Sequence, residues 1–138
     1  MKYQLTELAE GGYRQRTRRN VEDSDGTLII NLGGELKDGT LATQVFANKM
    51  NKPHLVVPLD SGITMEAVGS IIDWLRQHSI KALNIAGPRE SKRPGIYRLT
   101  RELLEAVDVA IHFMSGGRRH LESTALDVMC QDTEHTAL

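Results

Sequence analysis

Three short aliphatic runs, Thr27–Leu32 (TLIINL), His54–Leu59 (HLVVPL) and Ala82–Ala86 (ALNIA), are separated by stretches of helical length. Each run is apolar almost throughout rather than alternating, the pattern of strands covered on both faces. Strands that alternate with helices need crossover connections, and these pack back onto a parallel sheet with a right hand. The expected class is therefore α/β. Pro58 lacks an N–H to donate, which places the far end of the second run at a sheet edge or a strand terminus.

Helical periodicity fills the gaps between the runs. Tyr13 to Asp23 is polar and free of breakers, which suits an exposed helix carrying Arg14, Arg16, Arg18 and Arg19, closed by the turn Asp23-Ser24-Asp25-Gly26. Leu41 to Met50 has helical spacing through Leu41 and Val45. Thr64 to His78 carries Val68, Ile71, Ile72 and Leu75 as an i, i+3, i+4, i+7 stripe. After Pro94, Leu99, Leu103, Val107, Ala110, Ile111 and Met114 predict one long helix ending near Gly116-Gly117; the competing reading breaks it at Asp108 and makes Val109 to Met114 a strand. Arg118 to Cys130 again fits a helix, with Leu121, Ala125, Val128 and Met129 on one face.

A chain of 138 residues supports one domain, here residues 1–138, with 1–12 as an N-terminal arm and 115–138 as a helical extension. The apolar share of 40% and charged share of 25% are those of a globular protein, and a net charge of −1 gives no reason to expect nucleic acid. The single cysteine, Cys130, builds no internal disulfide. No signal-like or membrane-spanning apolar run occurs, so no membrane partner and a cytoplasmic location are expected. The histidines are scattered, and their spacing suggests no metal cage.

Parallel α/β sheets hold ligands beyond the carboxyl ends of their strands. Two segments sit there. Gly33-Gly34 through Gly39-Thr40 feeds a helix, where glycines admit an anion close to backbone amides and the helix terminus offers partial positive charge. A tight turn alone explains the same glycines, and no P-loop lysine follows Gly39. Gly87-Pro88-Arg89-Glu90-Ser91 ends the third run. Arg89 can grip an oxyanion with two parallel hydrogen bonds. Ser91 could equally cap the next helix, and Glu90 could be an acid–base group or an ion-pair partner. A third stretch, Arg16-Thr17, Asn20 and Asp23-Ser24-Asp25, carries no claim by itself.

In order along the chain stand Tyr13, Arg16-Thr17, Asn20-Val21, DSDGTLI from Asp23, Gly39-Thr40, Lys52-Pro53, NIAGPRES from Asn84 and Pro94-Gly95-Ile96-Tyr97. This ordered set, from about residue 3 to about residue 105, resembles the putative molybdenum carrier family, part of the SLOG group of Rossmann-like domains. The resemblance implies a three-layer Rossmann-like fold with helices on both faces of a mostly parallel sheet. It also implies a pocket for a nucleotide or pterin-type ligand, the molybdenum cofactor among them. The implied binding set is Gly33, Gly34, Gly39, Thr40, Thr43, Gly87, Pro88, Arg89, Glu90 and Ser91, with Arg16, Asn20, Asp23, Ser24 and Asp25 closing the pocket.

The sequence departs from the pattern twice. The family's opening strand and Ser-Gly-Gly turn do not precede Tyr13; Ser115-Gly116-Gly117 raises a permutation with Val109–Met114 as the displaced strand, but a truncated domain covered by C-terminal helices, self-associating as a homodimer or higher homo-oligomer, is the expectation preferred here. In addition, related enzymes that hydrolyse nucleoside monophosphates resemble Gly-Thr-x-x-Glu at the loop-to-helix turn, whereas here Thr43 replaces the acid. The expected function is a non-catalytic carrier or sensor of a phosphate-bearing small molecule. The alternatives are a glycosidic hydrolase using Glu90 or Asp25, or a degenerate interaction module.

Overall fold

The computed structural model describes residues 12–114 and 127–131. Their elements run α1 (Gly12–Asp23), β1 (Gly26–Asn31), α2 (Asp38–Lys49), β2 (His54–Pro58), α3 (Met65–Gln77), β3 (Ala82–Ala86), α4 (Ile96–Met114) and β4 (Asp127–Gln131). The strands form one sheet in the order β2-β1-β3-β4, and every neighbouring pair is parallel. α1 and α2 pack together against one face, α3 and α4 against the other. This is the three-layer, Rossmann-like α/β arrangement.

Strand alternation assigns the two faces. Leu28, Ile30, Leu83 and Ile85 join Ile71, Ile72, Trp74, Leu75, Leu103 and Val107 in the main apolar cluster beneath α3 and α4. A fully buried Leu or Ile of this kind contributes roughly 1.5–3 kcal/mol. The intervening positions Thr27, Ile29, Asn31, Asn84 and Ala86 point to the other face and are buried as well. That side mixes apolar groups (Ile29, Ala86, and Val21 and Ala47 of the covering helices) with polar ones: Asn84 Nδ2 donates to Thr27 Oγ1 at 3.2 Å, and Thr17 of α1 and Thr43 of α2 are buried.

Helix ends follow local chemistry. Thr64 Oγ1 accepts the Ala67 N–H at 3.1 Å and starts α3. Glu90 starts α4, its two carboxylate oxygens accepting the N–H groups of Gly95 (2.7 Å) and Tyr97 (3.0 Å). Lys52 Nζ donates to the Glu22 and Ser24 carbonyls and closes the end of α1.

Several sequence expectations need correction. Residues 127–131 are not helical: they pair in parallel with β3, from Ala82 opposite Asp127 to Ala86 opposite Gln131. Val128 and Met129 fit a helical face by spacing, but a short apolar run beside a buried strand is decided by pairing. The rest of that expected helix, the Ser115-Gly116-Gly117 turn and residues 1–11 of the arm lie outside the described residues. Val109–Met114 belongs to α4, so the strand reading of that stretch fails. α1 is less exposed than its arginines suggest, because Thr17 and Val21 are buried. In α2 the buried positions are Thr40, Thr43 and Ala47, while Leu41 and Val45 are exposed. Among the described residues no helix is long and apolar enough to cross a membrane.

Candidate functional site

After β1 the chain turns to α2 on one face; after β3 it turns to α4 on the other. Between two such neighbouring strands the diverging loops leave a crevice, the usual ligand position in this class of sheet. A cleft of about 190 Å³ occupies it. Its lining comes from the end of β1 (Asn31), the following loop (Glu35, Lys37), the first turns of α2 (Asp38 to Thr40, and Thr43), the end of β3 (Ala86 to Arg89), Lys92-Arg93, and Thr17 of α1. The volume is below the roughly 300–1,000 Å³ of a drug-sized pocket.

Gly87 lets the two strand ends close up. A Cβ there would lie 2.7 Å from the Ile30 carbonyl oxygen, so any larger residue pushes β3 from β1. Gly33 and Gly34 both have positive φ, and they turn the chain out of β1. The turn is held from three sides: Gly33 N–H donates to Asp60 Oδ1 at 2.8 Å, Asn31 Nδ2 to the Gly34 carbonyl at 2.6 Å, and Arg93 Nε to the Leu32 carbonyl at 2.9 Å.

The lining is electropositive, with Lys37, Arg89, Lys92 and Arg93 set against Glu35 and Asp38. α2 adds its N-terminal partial charge. Its N-cap, Lys37, makes no side-chain capping bond, unlike the caps of α3 and α4. Asp38 adopts a left-handed backbone (φ 49°), a conformation that Asp tolerates better than most residues. Lys92 Nζ lies 3.4 Å from Asp38 Oδ2, joining the two loops across the opening.

Of the residues expected from sequence, Gly39, Thr40, Thr43, Gly87, Pro88 and Arg89 come together in the cleft. Gly33 and Gly34 shape the adjoining turn. Glu90 caps α4, and Ser91 is exposed beside it. Asp23 pairs with Arg19 on the surface. Ser24 and Asp25 lie at the opposite end of β1. The Ser24 hydroxyl donates to the Val21 carbonyl, and Asp25 Oδ2 accepts the N–H groups of Lys81 (2.9 Å) and Ala82 (2.8 Å). A strand of this length puts them about 20 Å from the cleft. The Ala82 and Lys81 N–H groups hold the Asp25 carboxyl below its usual range. Arg16 and Asn20 do not line the cleft, whereas their neighbour Thr17 does.

The sequence places Thr17 in the third candidate stretch but not in the expected binding set, and does not single out Asn31, Glu35, Lys37, Asp38, Lys92 or Arg93 as site residues. The signal for Asn31 was a polar residue closing an otherwise apolar strand. For Lys92 and Arg93 it was their adjacency to the Gly-Pro-Arg turn. Among the described residues no group of three or more His, Cys, Asp or Glu side chains could hold a metal ion.

A comparison with curated proteins finds no match. The crystal structure of a "putative molybdenum carrier protein" from Syntrophus aciditrophicus SB superposes with a TM-score of 0.71 at 47% sequence identity. The alignment covers 76% of this chain and 66% of that one, so this chain spans just under two thirds of its neighbour's length. The family model described as "Circularly permutated YpsA SLOG family" matches residues 1–108, which include every residue of the cleft, and the chain belongs to that family.

Proposed function

We propose that the chain is a carrier or sensor domain that binds a phosphate-bearing small molecule, of nucleotide or pterin type, in the cleft between the ends of β1 and β3. The observation that carries this reading is an electropositive cleft lined both by the start of α2, which has no side-chain cap, and by Arg89. Helix N-termini that lack a side-chain cap keep N–H donors for an outside anion, and a guanidinium in the same cleft supplies a paired, charged grip. The solved neighbour is called a molybdenum carrier, and a molybdenum-bearing cofactor with a phosphate fits the same chemistry. Binding without turnover is favoured because both oxygens of Glu90 are engaged in capping α4 and Thr43 stands where related hydrolases carry an acid.

The test is thermal stability against AMP, GMP, ADP-ribose, NAD, molybdate and a molybdopterin source. A ligand present at about 100 times its Kd adds roughly 2.7 kcal/mol to the native state. A shift with a phosphate-bearing compound that is then recovered unchanged supports a carrier or sensor. Cleavage of that compound supports the hydrolase, and no shift with any compound supports an interaction module.

A further inference from the structure

The sequence contains two Asp-Gly steps, Asp25-Gly26 and Asp38-Gly39, and no Asn-Gly. With no side chain on the second residue, the amide nitrogen is open to attack the preceding carboxyl group. The fold treats the two steps oppositely. Asp25 N–H donates to the Ala82 carbonyl at 2.8 Å, and Asp25 Oδ2 accepts the N–H groups of Lys81 and Ala82. Those two N–H groups also depress its pKa, so its neutral acid form is rare. Gly26 is buried, and Ile80 and Trp74 fill the space beside it. Asp38-Gly39 lies at the mouth of the cleft. The Asp38 side chain is 72% exposed, its contact with Lys92 Nζ is 3.4 Å long, and its backbone is left-handed. Among the described residues no main-chain carbonyl accepts the N–H of Asp38 or Gly39; the bonds that begin α2 come from Thr40 and Leu41.

We infer that Asp38-Gly39 is a self-modification site at which the folded protein isomerises to an isoaspartyl linkage. The Gly39 nitrogen attacks Cγ of the neutral Asp38 carboxyl group. The N–Cγ bond forms, the Cγ–OH bond breaks, and water leaves with the amide proton, closing a succinimide ring. Water then adds to the main-chain carbonyl carbon of Asp38 and breaks its bond to the nitrogen, which regains a proton. One water is released and one consumed, so no oxidant or other reactant is needed. Ring closure requires the peptide to rotate, and a first helical turn with free N–H groups opens more easily than a paired strand. The new main chain runs through Cβ and Cγ and is one carbon longer where it enters α2, next to Gly39 and Thr40 of the cleft lining. Ageing of the chain and the shape of the cleft are thereby linked. The inference holds whether or not the cleft binds an anion.

The experiment holds the wild-type protein for several weeks at physiological pH and temperature, one sample native and one unfolded in guanidinium chloride. Peptide mapping with electron-transfer fragmentation then counts isoaspartate at each Asp-Gly step. In the unfolded chain only local sequence acts, so the two steps should isomerise within about threefold of each other. In the native protein Asp38 should exceed Asp25 by about tenfold or more, because only its peptide opens without unfolding the sheet. Isoaspartate at Asp38 no more abundant than at Asp25 in the native sample, or confined to the unfolded one, overturns the inference.

Discussion

Lys92 Nζ lies 3.4 Å from Asp38 Oδ2, and this pair bridges the two loops that form the mouth of the cleft. The side chains are 50% and 72% exposed, so the contact contributes no more than about 1 kcal/mol to folding. Its greater effect is on charge, because it places a carboxylate where an incoming anion would meet Lys92.

Asp38→Asn should therefore strengthen phosphate binding by about two- to fivefold at low salt, with the gain shrinking as salt rises. Asn also tolerates the left-handed backbone at this position, so the melting temperature should change little. Titration of inorganic phosphate at two ionic strengths checks both points. Weaker binding by the variant would mean that Asp38 serves the ligand rather than opposing it.

Glu90→Ala removes both acceptors at the start of α4, the longest described helix. The expected cost is about 1–2 kcal/mol of stability, read as a lower denaturant midpoint with an unchanged slope. The folded protein should retain its ligand affinity within about twofold, because Glu90 does not line the cleft. Unaltered stability together with lost activity on a nucleotide would instead assign Glu90 to chemistry.

Asp25 gives the chain an acid-sensitive element. The Ala82 and Lys81 N–H groups depress its carboxyl pKa, with Lys52 and Lys81 adding positive charge. A depressed folded pKa stabilises the protein above the unfolded value of about 3.9 and loses that contribution as pH falls through the folded value. Asp25→Asn should thus be less stable near pH 7, by on the order of 1 kcal/mol for an exposed group. The gap to wild type should narrow below about pH 4 in urea melts. A gap constant from pH 7 to pH 3 would remove the linkage.

Gly87→Ala places a methyl group 2.7 Å from the Ile30 carbonyl oxygen, a backbone atom that can retreat only by moving β1. A loss of about 1–3 kcal/mol is expected, with weaker ligand binding in the remaining folded protein. Gly34→Ala is the control for space: nothing lies within 4 Å of its added Cβ, and the strain comes from φ 94° alone. Equal stability of Gly87→Ala and wild type would show that the strand ends tolerate separation.

Much of the fold was legible because its signals are local. The three aliphatic runs became β1, β2 and β3 within a residue or so, and the Ile71-Ile72-Leu75 stripe became the buried face of α3. β4 was not legible. Val128, Met129 and Cys130 are too few to set a period, and pairing with β3 is a tertiary choice. The cleft was half legible. Glycines and Arg89 at strand ends mark it by composition, whereas Asn31, Lys37 and Thr17 reach it from three separate elements. Conspicuous sequence misled in the opposite direction: Ser24 and Asp25, inside the most recognisable motif, fasten the start of the sheet about 20 Å from the cleft.

The central claim is that Arg89 and the start of α2 together hold an anion, and the most direct measurement compares wild type with Arg89→Ala in a calorimetric titration with ribose 5-phosphate. Loss of a charged, paired hydrogen bond should weaken binding by about 1.5–3 kcal/mol, or roughly 10- to 150-fold. Equal affinities in the two proteins would take Arg89 out of the site and contradict the account.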